Sequence, residues 1–192
     1  MTIDPKRWYP VAASDDLPQD HVYQTRLDGR PVAIWRAASG DVNVWDDRCP
    51  HRGVRFSVGY VIGDELRCQY HAWRFASGSG SCTHIPAQPD AKPAAAIRAQ
   101  TWPVRERGGL VWTGITPEGE PAVPIDGAVL RAIPVNRAIE DVEPALKAIP
   151  DAAFILQPVD TERCVIRGLA APERTYAIDA MLERLRLTLE TV

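Results

Sequence analysis

Short runs in which apolar and polar residues alternate, each closed by a turn signal, fill the first 116 residues. Trp8 to Ala13 reads as an edge strand running out into Ser14-Asp15-Asp16-Leu17-Pro18. His21 to Leu27 alternates, Asp28-Gly29 turns, and Pro31 to Arg36 runs back, which predicts a hairpin with a favoured two-residue turn. Ser39-Gly40-Asp41 precedes a strand over Val42 to Trp45. Val61 to Arg67 folds back at Gly63-Asp64, and Ala99 to Arg105 and Gly109 to Thr113 flank an Arg107-Gly108-Gly109 turn. Strands this short and this regularly spaced predict a mainly β protein, an antiparallel sandwich with a small inserted subdomain.

The pattern changes after Thr116. Pro117, Gly119, Pro121, Pro124 and Gly127 break up a stretch with little periodicity, which reads as a linker with a short helical turn after Pro144. Ala152 to Leu156 and Cys164 to Leu169 then predict a hairpin, and Thr175 to Val192 a helix. Its Ile178, Met181, Leu182, Leu185 and Leu189 share one face, which is expected to pack on that hairpin. The expected organisation is a β domain over 1–116, a linker over 117–150 and a hairpin-plus-helix segment over 151–192.

Two short motifs carry the chemistry. Cys49-Pro50-His51-Arg52-Gly53 and Cys68-Gln69-Tyr70-His71-Ala72-Trp73 each offer one thiolate and one imidazole, separated by the predicted 61–67 hairpin. A Cys-x-His answered by a Cys-x-x-His is the ligand set of a Rieske [2Fe–2S] centre, in which two thiolates hold one iron and two imidazoles the other. Thiolates stabilise the inner ferric iron, whereas neutral imidazoles leave the outer iron less electron-rich and raise the reduction potential. The outer iron is then the electron port, and loss of an imidazole proton on oxidation would couple electron to proton transfer at alkaline pH. A structural Cys2His2 zinc site is the alternative, although zinc sites usually pair Cys with Cys and His with His.

These motifs, with Ser57-Val58-Gly59, Arg74-Phe75 and Cys82-Thr83-His84-Ile85-Pro86, resemble the Rieske domain of the Rieske non-haem iron oxygenases, of the vanillate-demethylase and dicamba-monooxygenase type. The resemblance extends upstream through Arg7-Trp8-Tyr9-Pro10-Val11-Ala12 and downstream through Trp102-Pro103-Val104 to Gly109-Leu110-Val111-Trp112. It implies a Rieske-type fold and one [2Fe–2S] cluster per chain, held by Cys49, His51, Cys68 and His71 and shielded by Pro50, Tyr70 and Trp73. Ala72 departs from the glycine usual there, and its methyl group is expected to be tolerated with a small backbone adjustment. Respiratory Rieske proteins carry a disulfide at the places of Val54 and Tyr70. Its lack implies the lower-potential class, at roughly −150 to 0 mV.

Several neighbouring residues have two readings. Arg48, Arg52, Arg55, Arg67 and Arg74 form either a basic rim that steers an acidic reductase or a set paired with Asp46, Asp47, Asp64 and Glu65. Cys82-Thr83-His84 is a further Cys-x-His without a second half, and reads as structural. His21 reads as an ordinary strand histidine. In a reducing compartment Cys82 and Cys164 are expected to be free thiols. The chain has 192 residues, 45% of them hydrophobic and 24% charged, with a net charge of −3, so neither nucleic acid nor a membrane surface is indicated as a partner. With no signal-type N-terminus and no run of about eighteen apolar residues, a cytoplasmic protein is expected.

Oxygenases of this kind activate dioxygen at a second iron held by two histidines and one carboxylate. No histidine follows His84 here, so the resemblance implies an oxidoreductase component that moves electrons without inserting oxygen, and no catalytic residue is assigned. The expected partners are an NAD(P)H-dependent flavin or ferredoxin reductase and a separate mononuclear-iron oxygenase subunit. Alternatives are an integral subunit of a hetero-oligomeric oxygenase and an iron–sulfur redox sensor whose cluster state alters contacts of the C-terminal helix. The apolar helix face also leaves room for homo- or hetero-oligomer packing.

Overall fold

The hairpin turn at Asp28-Gly29 forms with both residues at positive φ, 51° and 78°, the backbone that matches the twist of its flanking strands. The computed structural model describes residues 3–191. Their strands are β1 (Tyr9–Ala13), β2 (Val22–Leu27), β3 (Arg30–Arg36), β4 (Val42–Asp46), β5 (Tyr60–Ile62), β6 (Glu65–Arg67), β7 (Arg74–Ala76), β8 (Cys82–His84), β9 (Val104–Arg107) and β10 (Leu110–Thr113). Then follow β11 (Ala128–Val129), β12 (Ile133–Val135), α1 (Ile139–Leu146), β13 (Ala152–Pro158), β14 (Cys164–Ala170) and α2 (Thr175–Thr191). The protein is mainly β, built of antiparallel sheets with one long C-terminal helix.

Two compact units divide these elements. One comprises 15–25 and 31–104; the other comprises the residues up to Ser14, 26–30 and 105–192. In the first, the β2-β3-β4 sheet and the four-stranded β5-β6-β7-β8 sheet enclose one core. Trp35, Trp45, Phe56 and Phe75 meet edge to face in succession, with ring centroids 5.1, 5.5 and 5.2 Å apart, a geometry that adds to the apolar burial. Cys49, Cys68 and Cys82 are buried in the same core.

In the second unit, β14 is buried along its whole length and pairs with β13 on one side and with β11 and β12 on the other. The stretch expected to be a linker supplies β11, β12 and α1. Its Leu130, Ile133, Val135, Val142 and Leu146 are buried with Cys164, Ile166, Ile178 and Leu182. Strands of two and three residues among prolines carry no readable period, which is why the sequence pattern misses them. The helix runs through Pro144 rather than starting after it. Glu140 and Asp141 favour its first turn, and it ends two residues past the proline, which cannot donate to the helix ladder. The apolar face of α2 packs on β12 as well as β14. It is tied there by the Asn136 amide donating to Glu190 (2.8 Å) and by Arg137 Nε donating to the Leu189 carbonyl (2.6 Å).

Both motif loops have the same backbone. The Cys49 amide donates to the Val54 carbonyl (2.8 Å) and the Gly53 amide to the Cys49 carbonyl (2.8 Å); the Cys68 amide donates to Trp73 (2.9 Å) and the Ala72 amide to Cys68 (3.0 Å). The fourth residue after each cysteine is left-handed, with φ of 73° at Gly53 and 57° at Ala72. The turn at Ala72 therefore keeps its hydrogen bonds, and its methyl group is accommodated by strain instead of a rearrangement.

Two predictions follow from this backbone and packing. Ala72→Gly should raise stability by about 0.5–1 kcal/mol, because an L residue in the left-handed region is strained by more than glycine's extra unfolded entropy. A urea titration showing a lower midpoint for the variant would refute the strain. Arg167, only 2% exposed on β14, donates to Gln157 Oε1 (2.9 Å) and to the Val11 carbonyl (2.6 Å). Arg167→Ala should cost roughly 2–4 kcal/mol in the same assay, since it strands two buried acceptors and leaves a void. A loss below about 1 kcal/mol would show that these bonds do not hold the strand.

Candidate metal centre

The four candidate ligands fall into two pairs. The Cys49 and Cys68 thiols are buried and hydrogen-bonded to each other. The rings of His51 and His71 lie 4.7 Å apart between centroids, with His51 half-buried and His71 exposed. Among the described residues no three His, Cys, Asp or Glu side chains converge on one point. Two pairs, one of sulfur and one of nitrogen, suit two irons with two protein ligands each better than one tetrahedral zinc.

The electrostatics favour the ligand form of Cys68 and His51. The hydrogen bond from Cys49, followed by the Tyr70 and His71 amides and the His71 ring, draws the Cys68 thiol down to about 6 despite burial. Cys49 moves the opposite way as the partner holding the proton, and its burial adds to the rise; the His51 and Arg52 amides act against both. In each loop, the amides two and three residues past the cysteine thus stabilise charge on its sulfur. Burial, followed by His71 and Arg52, pushes His51 below its ordinary value, which keeps a nitrogen lone pair free for a metal.

Aromatic rings fix the imidazoles. Trp73 stacks on His51 at 4.1 Å and 6°, and Tyr70 leans on His71 at 3.9 Å and 41°. Tyr70 is itself 60% exposed, so it covers one ring without closing the site, and Pro50 lies exposed in the first loop. Val54, Gln69 and Tyr70 line a shallow hollow beside the imidazoles.

The carboxylates near the loops mostly serve neutral donors. Asp47, 3% exposed, accepts from the Ser57 amide (2.7 Å), the Ser57 hydroxyl (2.7 Å) and Gln24 Nε2 (3.0 Å), and so clasps both ends of the loop holding Cys49 and His51. Asp46 accepts from Trp102 Nε1 (2.6 Å) and Asp64 from the Ser39 amide (2.8 Å). Of the anticipated ion pairs, Arg74–Glu65 alone forms among the described residues, at 3.7 Å. Arg48 crosses Gly53 so closely that a Cβ there would lie 3.2 Å from its Nε. Buried Asn43 accepts from the Gly78 amide (2.7 Å) and donates to the Ser77 hydroxyl (2.9 Å), which secures the turn after the second motif. Sequence reading missed both clasps, although an Asp two residues before the motif cysteine and a Ser ten residues on are a visible signal.

The remaining candidates stay outside. Cys82 points into the core with its thiol 3.7 Å from the His84 carbonyl, and burial raises its pKa. His84 ends β8, and His21 is exposed just before β2. All four cysteines are free of disulfides, and burial pushes Cys164 up to about 12. No described helix is long and apolar enough to cross a membrane.

Comparison with known proteins identifies the family. The oxidoreductase NdmD of Pseudomonas putida is 50% identical over 129 residues, 67% of this chain and 22% of that protein. The oxygenase component of dicamba O-demethylase from Stenotrophomonas maltophilia is 36% identical over 129 residues, 67% of this chain and 36% of the relative. The chain therefore spans only about a fifth to about a third of these relatives. The crystal structure of dicamba monooxygenase shares the fold with a TM-score of 0.71, at 18% identity, over 97% of this chain and 89% of the other. Residues 7–103 match the Rieske [2Fe-2S] domain, half of the sequence and all of both motif loops, and the chain belongs to that family, whose domain carries a [2Fe–2S] cluster.

Proposed function

We propose that the protein is a single-electron carrier of the ring-hydroxylating and demethylating oxygenase type. It accepts electrons from an NAD(P)H-dependent flavin or ferredoxin reductase and delivers them to a separate mononuclear-iron oxygenase component. Cys49 and Cys68 hold one iron of the cluster, and His51 and His71 hold the other. The observation that carries this reading is the sidedness of the site: the thiol pair is buried in the core while the imidazole pair reaches the surface. When bound, the cluster supplies a one-electron ferric/ferrous couple.

The chain's own residues determine how that couple is presented. Amides of His51, Arg52, Tyr70 and His71 are directed at the two sulfurs, where they draw charge off the thiolates and favour the reduced state. Trp73 excludes water from one face of His51, while exposed His71 gives an incoming or outgoing electron a short path. A second reading, an integral subunit of a hetero-oligomeric oxygenase, is favoured by the likeness to the dicamba monooxygenase fold, which extends beyond the Rieske domain over 97% of the chain. The two differ in whether the complex is permanent, and co-purification with an iron-bearing oxygenase chain separates them.

Anaerobically purified protein should contain iron and acid-labile sulfide in the ratio of a [2Fe–2S] cluster and give a Rieske-type electron paramagnetic resonance signal after dithionite reduction. Cys68→Ala and His71→Ala should each abolish that signal. Zinc without sulfide would sink the cluster assignment, and a third, mononuclear iron that binds nitric oxide would make the chain an oxygenase in its own right. Asp47→Ala should release iron to a chelator roughly 10–100-fold faster than wild type, with Ser57→Ala intermediate. Release at the wild-type rate would mean that the first loop holds its shape without the clasp.

A further inference from the structure

We propose that the outer face of the β5–β8 sheet is a docking surface for a small acidic electron-carrier protein. This rests on the electron-transfer reading above and places the partner on the sheet instead of on the tips of the histidine loops. The strand register carries the argument. Tyr60 faces Arg67 and Arg67 faces Arg74, so these three residues form one row across three strands, and His84 lies opposite Arg74 across a register shift. Leu66 and Phe75, which alternate with them, are buried in the core, and Val61 packs against it. The row therefore lies on the outward face.

The composition of this face suits a protein partner. Tyr60 and Ile62 alternate along the edge strand and are 52% and 40% exposed, and Val58, 47% exposed, ends the short 3-10 turn just before it, so three large apolar side chains are exposed within five residues. Among the described residues β5 pairs with β6 alone. Tyr and Arg are the side chains that most often anchor interfaces, with apolar contact at the centre and charge around it. The charge is one-sided. Arg67 has no carboxylate partner among the described residues, and Glu65 reaches only Arg74. Arg74 Nε is buried without an acceptor. An acidic surface around an apolar centre complements this arrangement, and opposite charge speeds encounter.

Position in the chain makes the partner an electron carrier. Arg67 immediately precedes Cys68 and Arg74 immediately follows Trp73, so the row crosses the base of the second ligand loop. A carrier seated there lies beside the loop that holds Cys68 and His71. One electron leaves the reduced carrier for each cluster reduced.

The test uses the cluster-loaded chain and a bacterial flavodoxin in its reduced form as an acidic probe. Stopped-flow bleaching of the cluster is followed at low and high salt, with a photochemically generated neutral deazaflavin radical as a second reductant. Arg67→Glu and Tyr60→Ala should each slow reduction by flavodoxin about tenfold at low salt. High salt should largely erase the Arg67→Glu effect and leave that of Tyr60→Ala, while reduction by the deazaflavin radical stays at the wild-type rate for both. Arg55→Glu, the same charge change on the first loop, should slow flavodoxin less than twofold.

Slowing by Arg55→Glu with wild-type rates for Arg67→Glu and Tyr60→Ala would place docking at the histidine loops and overturn the proposal. A wild-type cluster that the deazaflavin radical reduces but flavodoxin does not would also overturn it. So would a wild-type dimer that Tyr60→Ala converts to monomer, which would make the face a self-interface. Failure of both reductants would instead remove the electron-transfer reading on which the proposal rests.

Discussion

Each motif loop must turn tightly enough for the amides two and three residues past its cysteine to reach that cysteine's sulfur. The rest of the site depends on this requirement. A turn that directs two N–H groups at one atom needs its fourth residue in the left-handed region, which Gly53 adopts without strain and Ala72 adopts with it. It also fixes where the imidazoles go. Once the sulfurs point into the core, the histidines two and three residues on are carried outward to the surface. A thiol side facing protein and an imidazole side facing solvent are thus two outcomes of one backbone conformation used twice.

Such loops cannot hold themselves, because their internal hydrogen bonds are few and their polar groups compete with water. The support lies beneath and beside them. Trp35, Trp45, Phe56 and Phe75 form a stiff edge-to-face floor, and Asp47 and Asn43 clasp the segments leading in and out. A carboxylate as buried as Asp47 is tolerable only because three donors satisfy it. The same satisfaction makes it a directional clasp, unlike an exposed ion pair, which would be weak and easily rearranged. Stability and site geometry are coupled at this residue.

The four candidate donors stand out in the sequence because their chemistry is local: a thiol and an imidazole at fixed offsets within a turn. The hairpins at Asp28-Gly29 and Gly63-Asp64 were legible for a similar reason, since their turn residues specify backbone directly. What the sequence hid depends on distant partners. Asp46 and Asp47 stand beside arginines and read either as their counter-ions or as neighbours of a basic rim, yet Trp102 and Ser57 claim them once the chain is folded. Residues 117–150 read as a linker because two- and three-residue strands leave no period, and only the buried length of β14 gives them a place to pair. Arg167 lay within a predicted strand, and nothing in its neighbours announced that the strand would bury it.

The diversion of the carboxylates also unifies the electrostatics of the site. Asp46, Asp47 and Asp64 are occupied with neutral donors, so Arg48, Arg52, Arg55 and Arg67 face solvent without close counter-charges among the described residues. Uncompensated positive charge near a redox centre favours the more negative, reduced state, and the same charge attracts acidic partners over distances up to about a Debye length, ~10 Å. Had those carboxylates paired with the arginines instead, both effects would weaken together and the first motif loop would lose its clasp. The hydrogen bonds that shape the loop therefore also leave its surroundings positive, which ties the geometry of the candidate donors to the charge of the surface around them.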